Sequence, residues 1–183
     1  MAESLEELIE ELGIPHRARA AYRTLLSIGR RALPSVLAGL EHDNGAVRSA
    51  CTRLMDRLAL TESLAILVGL CQDPEPSVRI HALHALACDR CKAEDVCLLD
   101  AADVLPIAMT ALREDPDDFT RAMAVEVVGR YAHTHPEAAD ALAEAHTADK
   151  NATVRKKAGW FAPGGIRYIK NAPKRQRTAH RVS

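Results

Sequence analysis

The chain has 183 residues, 48% of them hydrophobic and only 3% aromatic, with 25 acidic against 24 basic side chains for a formal net charge of -1. That much apolar material excludes disorder throughout and fits one domain or one repeat array. Ala and Leu dominate and strand-favouring aromatics are scarce, so the composition points to an all-α protein.

The N-terminus, Met1-Ala2-Glu3-Ser4-Leu5-Glu6-Glu7, is acidic and has no apolar run of the kind a signal peptide needs. No stretch approaches about eighteen uninterrupted apolar residues, so no membrane span is expected. Five cysteines, three of them within ten residues, fit a reducing compartment, and the reading is a cytoplasmic protein. Residues 1–15 are predicted to hold an N-terminal capping helix, near 2–12. Residues 16–162 follow as an array with helices near 16–29, 32–41, 45–58, 61–71, 75–87, 102–113, 117–132, 136–146 and 151–160. Pro163-Gly164-Gly165 is expected to end helical structure, leaving 163–183 as a basic tail.

One short pattern recurs four times between these helices. It reads His42-Asp43-Asn44-Gly45-Ala46-Val47-Arg48, Asp73-Pro74-Glu75-Pro76-Ser77-Val78-Arg79, Asp115-Pro116-Asp117-Asp118-Phe119-Thr120-Arg121 and Asp149-Lys150-Asn151-Ala152-Thr153-Val154-Arg155. The final arginines stand 31, 42 and 34 residues apart, close to the length of one two-helix unit. Each copy reads as a turn: an apolar helix stops, Asp, Asn, Pro and Gly reverse the chain, and a new helix starts. Leu64, Leu67, Val68 and Cys71 before the second copy, and Val78, Ala82, Ala85 and Leu86 after it, each form a single apolar stripe. Helices with one such stripe are not stable alone, so the pairs must stack and bury a shared core.

With Ile28-Gly29 and Ala32-Leu33-Pro34-Ser35-Val36-Leu37, these turns resemble HEAT repeats, in particular the short bacterial kind also found in phycobilisome-lyase-like proteins. The resemblance covers roughly residues 17 to 162. It implies an all-α, right-handed α-solenoid of about four to five helical hairpins. It further implies a ladder between neighbouring repeats, giving Asp73, Asp115, Asp149, Arg48, Arg79, Arg121 and Arg155 an architectural role. The first copy departs by placing His42 where the others have Asp, and the third by replacing Val with Thr120.

The long interval holds a Cys-rich inserted loop near 88–101. Cys88 and Cys91 form a CxxC pair, Cys97 follows, and His81 and His84 precede them on the helix. His81, His84 and Cys88 span only about 60° of a helical wheel, so His84, Cys88, Cys91 and Cys97 form a candidate tetrahedral set for a structural zinc ion. Buried cysteines with partly exposed histidines, or a disulfide, are the alternatives. Cys51 and Cys71 lie on apolar faces and read as core.

Charge is divided along the chain. Residues 1 to 149 carry 14 basic and 25 acidic side chains, net -11, whereas Lys150 onward brings ten basic and no acidic ones, net +10. Arg167, Lys170, Lys174, Arg175, Arg177 and Arg181 are therefore candidates for contact with nucleic acid or an acidic partner. The bland alternative is a solvated tail, or one that folds back on the acidic repeats. Trp160 and Phe161 read as a cover for the end of the core, with anchoring of a partner as the alternative.

No GxSxG, Walker loop, HExxH or GxGxxG occurs, and no His-Glu dipeptide that would match metal-dependent HEAT-repeat hydroxylases. The expectation is a non-catalytic scaffold that holds a protein partner on the second helices of its pairs. By spacing, Arg53, Arg57, His84, Glu126 and Arg130 are the candidate contacts.

Overall fold

The computed structural model describes residues 4–58, 64–87 and 100–173, and no strand occurs among them. Its helices are α1 (Leu5–Glu11), α2 (Pro15–Ile28), α3 (Leu33–Gly39, entered through a 3-10 turn at Gly29–Ala32), α4 (Gly45–Leu58) and α5 (Leu64–Leu70). They continue with α6 (Pro76–Ala87), α7 (Ala101–Glu114), α8 (Asp118–Tyr131), α9 (Pro136–Ala148), α10 (Ala152–Phe161) and α11 (Ile166–Asn171).

Local chemistry fixes where these helices begin. Ser4 and Glu7 form a reciprocal capping box on α1, and Asp100, Asp117 and Asn151 each accept an amide from the first turn of α7, α8 and α10. Pro15 and Pro136 open α2 and α9, where a missing N–H costs nothing.

Successive helices pair as α1/α2, α3/α4, α5/α6, α7/α8 and α9/α10. The second helices α2, α4, α6, α8 and α10 lie side by side in one layer, and in the other α1 packs on α3, α5 on α7 and α7 on α9. The fold is thus an all-α solenoid, with five hairpins among the described residues. Its core consists of small and branched side chains such as Leu25, Val36, Val47, Leu54, Val78, Leu83, Val125, Val128, Leu142 and Val154, all sealed from solvent. Small residues bring neighbouring helices close. At Gly129, for example, an added Cβ would overlap the ring of Phe161.

The recurring turns interlock. Arg48 donates from Nε and Nη2 to Asp73 at 2.8 and 2.9 Å, Arg79 to Asp115 at 2.7 and 2.7 Å, and Arg121 to Asp149 at 2.8 and 3.1 Å. Each guanidinium also turns Nη1 back to its own turn: to the carbonyls of His42 and Asp43, of Asp73 and Pro74, and of Asp115 and Pro116. One planar side chain thus closes its own turn and clamps the next pair, a geometry that lysine cannot copy. The aspartates also accept the backbone N–H two residues on, at Glu75, Asp117 and Asn151. Burial opposes charge on Asp73 and Asp149, but the hydrogen bonds from Arg48 and Arg121 outweigh it and hold both below the usual carboxylate range.

The two departures in the pattern have local explanations. His42 Nδ1 accepts the N–H of Asn44 at 2.9 Å, which is the role of the aspartate oxygen elsewhere, and Nε2 is left to meet Glu10 at 3.3 Å. That arrangement places the ring proton on Nε2. Thr120 is sealed in the core, and its hydroxyl donates to Asp117 at 2.8 Å.

The C-terminal end differs from the expectation of a non-helical tail after Pro163-Gly164-Gly165. Gly164 takes φ 86°, the chain reverses, and α11 follows. Gly165 passes so close to the backbone of Gly159 and Trp160 that no Cβ would fit. Tyr168 anchors α11 by stacking on His133, with ring centroids 3.9 Å apart, while its carbonyl accepts from His133 Nε2 at 2.8 Å.

Candidate interaction surface

The turn arginines supply a common register for the second-helix layer. Five residues beyond Arg48, Arg79, Arg121 and Arg155 stand Arg53, His84, Glu126 and Trp160, and two residues beyond them stand Ala50, His81, Met123 and Lys157. Contacts between neighbouring helices follow this register. Glu126 on α8 pairs with Lys157 on α10 at 2.6 Å, and Arg53 on α4 acts electrostatically on His81 of α6. On the other side, the Arg53 guanidinium lies 4.8 Å from the centre of the Tyr22 ring of α2, and the Tyr22 hydroxyl donates to the Arg53 carbonyl at 3.4 Å. Side chains at these positions therefore link α2 to α4, α4 to α6, and α8 to α10.

Arg53 and His84 are exposed at these positions, and Arg57, one turn further along α4, is exposed as well. His81 is half-buried, and burial, then the nearby charge of Arg53 and of His84, lowers its pKa to about 4. It is a neutral imidazole at physiological pH. Glu126 is half-buried and committed to Lys157. Arg130 is also half-buried: Nη1 donates to the carbonyls of Ala87 at 2.9 Å and Leu86 at 3.4 Å, closing the C-terminal end of α6. It holds two second helices together.

Of the candidate zinc ligands, His84 lies on α6 and faces solvent, whereas Cys88, Cys91 and Cys97 lie outside the described residues. Cys51 and Cys71 are buried, and that burial pushes both thiols up to about 12. Arg167 and Lys170 are exposed on α11, while Lys174, Arg175, Arg177 and Arg181 lie outside the described residues.

The sequence reading missed Tyr22 and Lys157, and of its two readings of Trp160, core cover and partner anchor, it preferred the cover. Phe161 does cover the core, against Gly129, but Trp160 remains 41% exposed with the Lys156 ammonium 5.8 Å from its ring centre. Counting five residues from each turn arginine would have placed Trp160 in line with Arg53 and His84. Tyr22 precedes the first turn and carries no such signal.

Comparison with known proteins agrees with this architecture. A family model described as HEAT repeats matches residues 3–87, 33–101 and 73–160, which together span most of the chain. No curated protein matches. Among solved structures, a chain in the complex of CpcE and CpcF of phycocyanin lyase from Nostoc sp. PCC7120 is similar, with a TM-score of 0.64 over 84% of this chain and 95% of that one. Its sequence identity is 21%, so the likeness speaks for the fold alone. Among the described residues no helix is long and apolar enough to cross a membrane. On the repeated turns, their interlocking arginines and the matched family, the chain belongs to the HEAT-repeat family.

Proposed function

We propose that the protein is a non-catalytic scaffold that holds a protein partner on the second-helix layer, with Arg53, Arg57, His84 and Trp160 as contacts. The observation that carries this reading is the common register: the fifth position after the turn arginine presents exposed Arg53, His84 and Trp160 on α4, α6 and α10 of one layer, with half-buried Glu126 of α8 between the last two. Arginine and tryptophan are the side chains that most often dominate protein interfaces, and a rigid solenoid holds them without ordering cost on binding. Tyr22 beneath Arg53 further fixes that guanidinium. The similar CpcE and CpcF are named as a complex, which agrees with a partner-binding role here; a lyase activity is not part of the proposal.

The test is affinity capture by the full chain from its native host, repeated with Arg53→Glu and Trp160→Ala. Both positions are exposed, and a thermal melt of each variant checks that it is folded. A protein retained by the parent and lost from both variants supports the reading, and capture unchanged by either substitution refutes it.

A second reading draws on the exposed Arg167 and Lys170 of α11, which lie where the chain is wholly basic. A salt titration of binding to mixed-sequence nucleic acid separates the two. Binding that weakens steeply as salt rises supports a nucleic-acid role, and absence of binding at low salt removes it.

A further inference from the structure

Charge divides between the two layers of helices. The first helices α1, α3, α5, α7 and α9 carry nine acidic side chains and one basic, net -8, whereas the second helices α2, α4, α6, α8 and α10 carry twelve basic and three acidic, net +9. The turn aspartates answer Arg48, Arg79 and Arg121, yet nine basic side chains remain in the second layer against those three acids. With a net charge of only -1 for the whole chain, the division belongs to the layers and not to the composition.

Four of the remaining cations gather between α2 and α4. Ala21 and Leu25 turn one side of α2 into the core, and Cys51 and Met55 do the same for α4. Arg19 and Arg23 stand on the opposite side of α2, and Arg53 and Arg57 on that of α4, each pair one helical turn apart and exposed. Tyr22 sets the two walls in register: its hydroxyl donates to the Arg53 carbonyl at 3.4 Å, and its ring centre lies 4.8 Å from the Arg53 guanidinium. Among the described residues no carboxylate forms an ion pair with any of these four arginines.

We propose that the groove between α2 and α4 receives an acidic segment of the partner protein, whose carboxylates meet Arg19 and Arg23 on one wall and Arg53 and Arg57 on the other. The inference rests on the scaffold reading above and gives its partner a chemical class. Guanidinium groups take carboxylates through paired hydrogen bonds, as the ladder of this chain does three times. A short acidic segment fits the groove better than a nucleic acid does. It stays within about one Debye length, roughly 8 Å, of the arginines, whereas a long polyanion reaches past them into the field of the acidic layer. Tyr22 has one ring face covered by Arg53, which leaves no platform for stacking successive bases. A second copy, offering its acidic first layer, would stack back to front in a contact that repeats without closing and builds filaments.

The test is crosslinking followed by binding. The full chain carries a photo-crosslinking residue at position 19, or at exposed Asp140 of the acidic layer as control, and is irradiated in its native host. The adduct is expected at 19 and not at 140, and mass spectrometry should map it to a segment rich in Asp and Glu within another protein. A synthetic peptide of that segment should bind the purified chain, bind less tightly as salt rises, and lose at least about tenfold in affinity when Arg19→Glu and Arg23→Glu are combined. Arg19→Gln with Arg23→Gln removes the charges without reversing them and should weaken binding in the same direction, so the outcome does not hang on the harsher variant. An adduct with a segment lacking acidic residues, with a second copy, with lipid or with nucleic acid overturns the proposal. So do the absence of any adduct at 19, and affinity indifferent to both pairs of substitutions. If capture then still depends on Arg53 and Trp160, the scaffold reading stands alone; capture indifferent to them as well refutes both.

Discussion

Arg79 and Asp115 belong to different hairpins, yet they meet through two parallel hydrogen bonds of 2.7 Å, with side chains only 9% and 7% exposed. A pair so enclosed costs much to desolvate and costs more to break, because removing one member strands the other charge. Arg79→Ala and Asp115→Ala are each expected to destabilise the protein by about 3 kcal/mol. In a double-mutant cycle by urea denaturation, the two losses should fall well short of adding. Additive losses would mean that the pair contributes little beyond its separate packing.

Acid should loosen the ladder. Asp73 and Asp149 have depressed pKa values in the folded protein, so the unfolded chain binds protons first as pH falls. Their contribution is fully present above the unfolded value, about pH 4, and is lost as pH falls through the folded one. Thermal melts between pH 7 and pH 2 should show stability dropping below about pH 4. Asp73→Asn and Asp149→Asn should begin less stable at neutral pH and show a shallower acid limb.

His81 provides a second titration with its own window. Its folded pKa near 4 lies below the ordinary 6.5, so the native state disfavours its protonation relative to the unfolded chain. The neutral ring's stabilising contribution is therefore present above about pH 6.5 and lost as pH falls towards about 4. A side-chain NMR titration should find the midpoint near the lower value, and Arg53→Ala should raise it. A midpoint at the ordinary histidine value would show that the ring is solvated.

Gly129 tests how closely α8 and α10 are packed. An alanine there would push its methyl into the Phe161 ring, and overpacking of this kind costs about 1–3 kcal/mol. Pairing Gly129→Ala with Phe161→Leu should recover part of that loss in chemical denaturation. If the pair is no more stable than the sum predicts, the overlap is absent.

The fold was legible because its punctuation is repeated. Four Asp-to-Arg turns announce where hairpins begin, and the apolar stripes between them leave stacking as the only way to bury a core. The end of the array was harder to read, because Pro163-Gly164-Gly165 has the composition of a stop but the conformation of a reversal. Surface roles were legible only in part. Spacing marked Arg53, Arg57 and His84 as exposed, but it could not distinguish them from Arg130, since the α6 carbonyls that hold Arg130 belong to a helix more than forty residues away. Long-range acceptors leave no trace in local periodicity.

The 42-residue interval between Arg79 and Arg121 exceeds its neighbours, yet the Arg79–Asp115 clamp joins the flanking turns with the same geometry as the shorter intervals. Clamping at the turn edge uncouples repeat alignment from the number of residues that join one hairpin to the next. The pitch of the stack is therefore set at the turns, and the longer interval between Arg79 and Arg121 leaves it undisturbed.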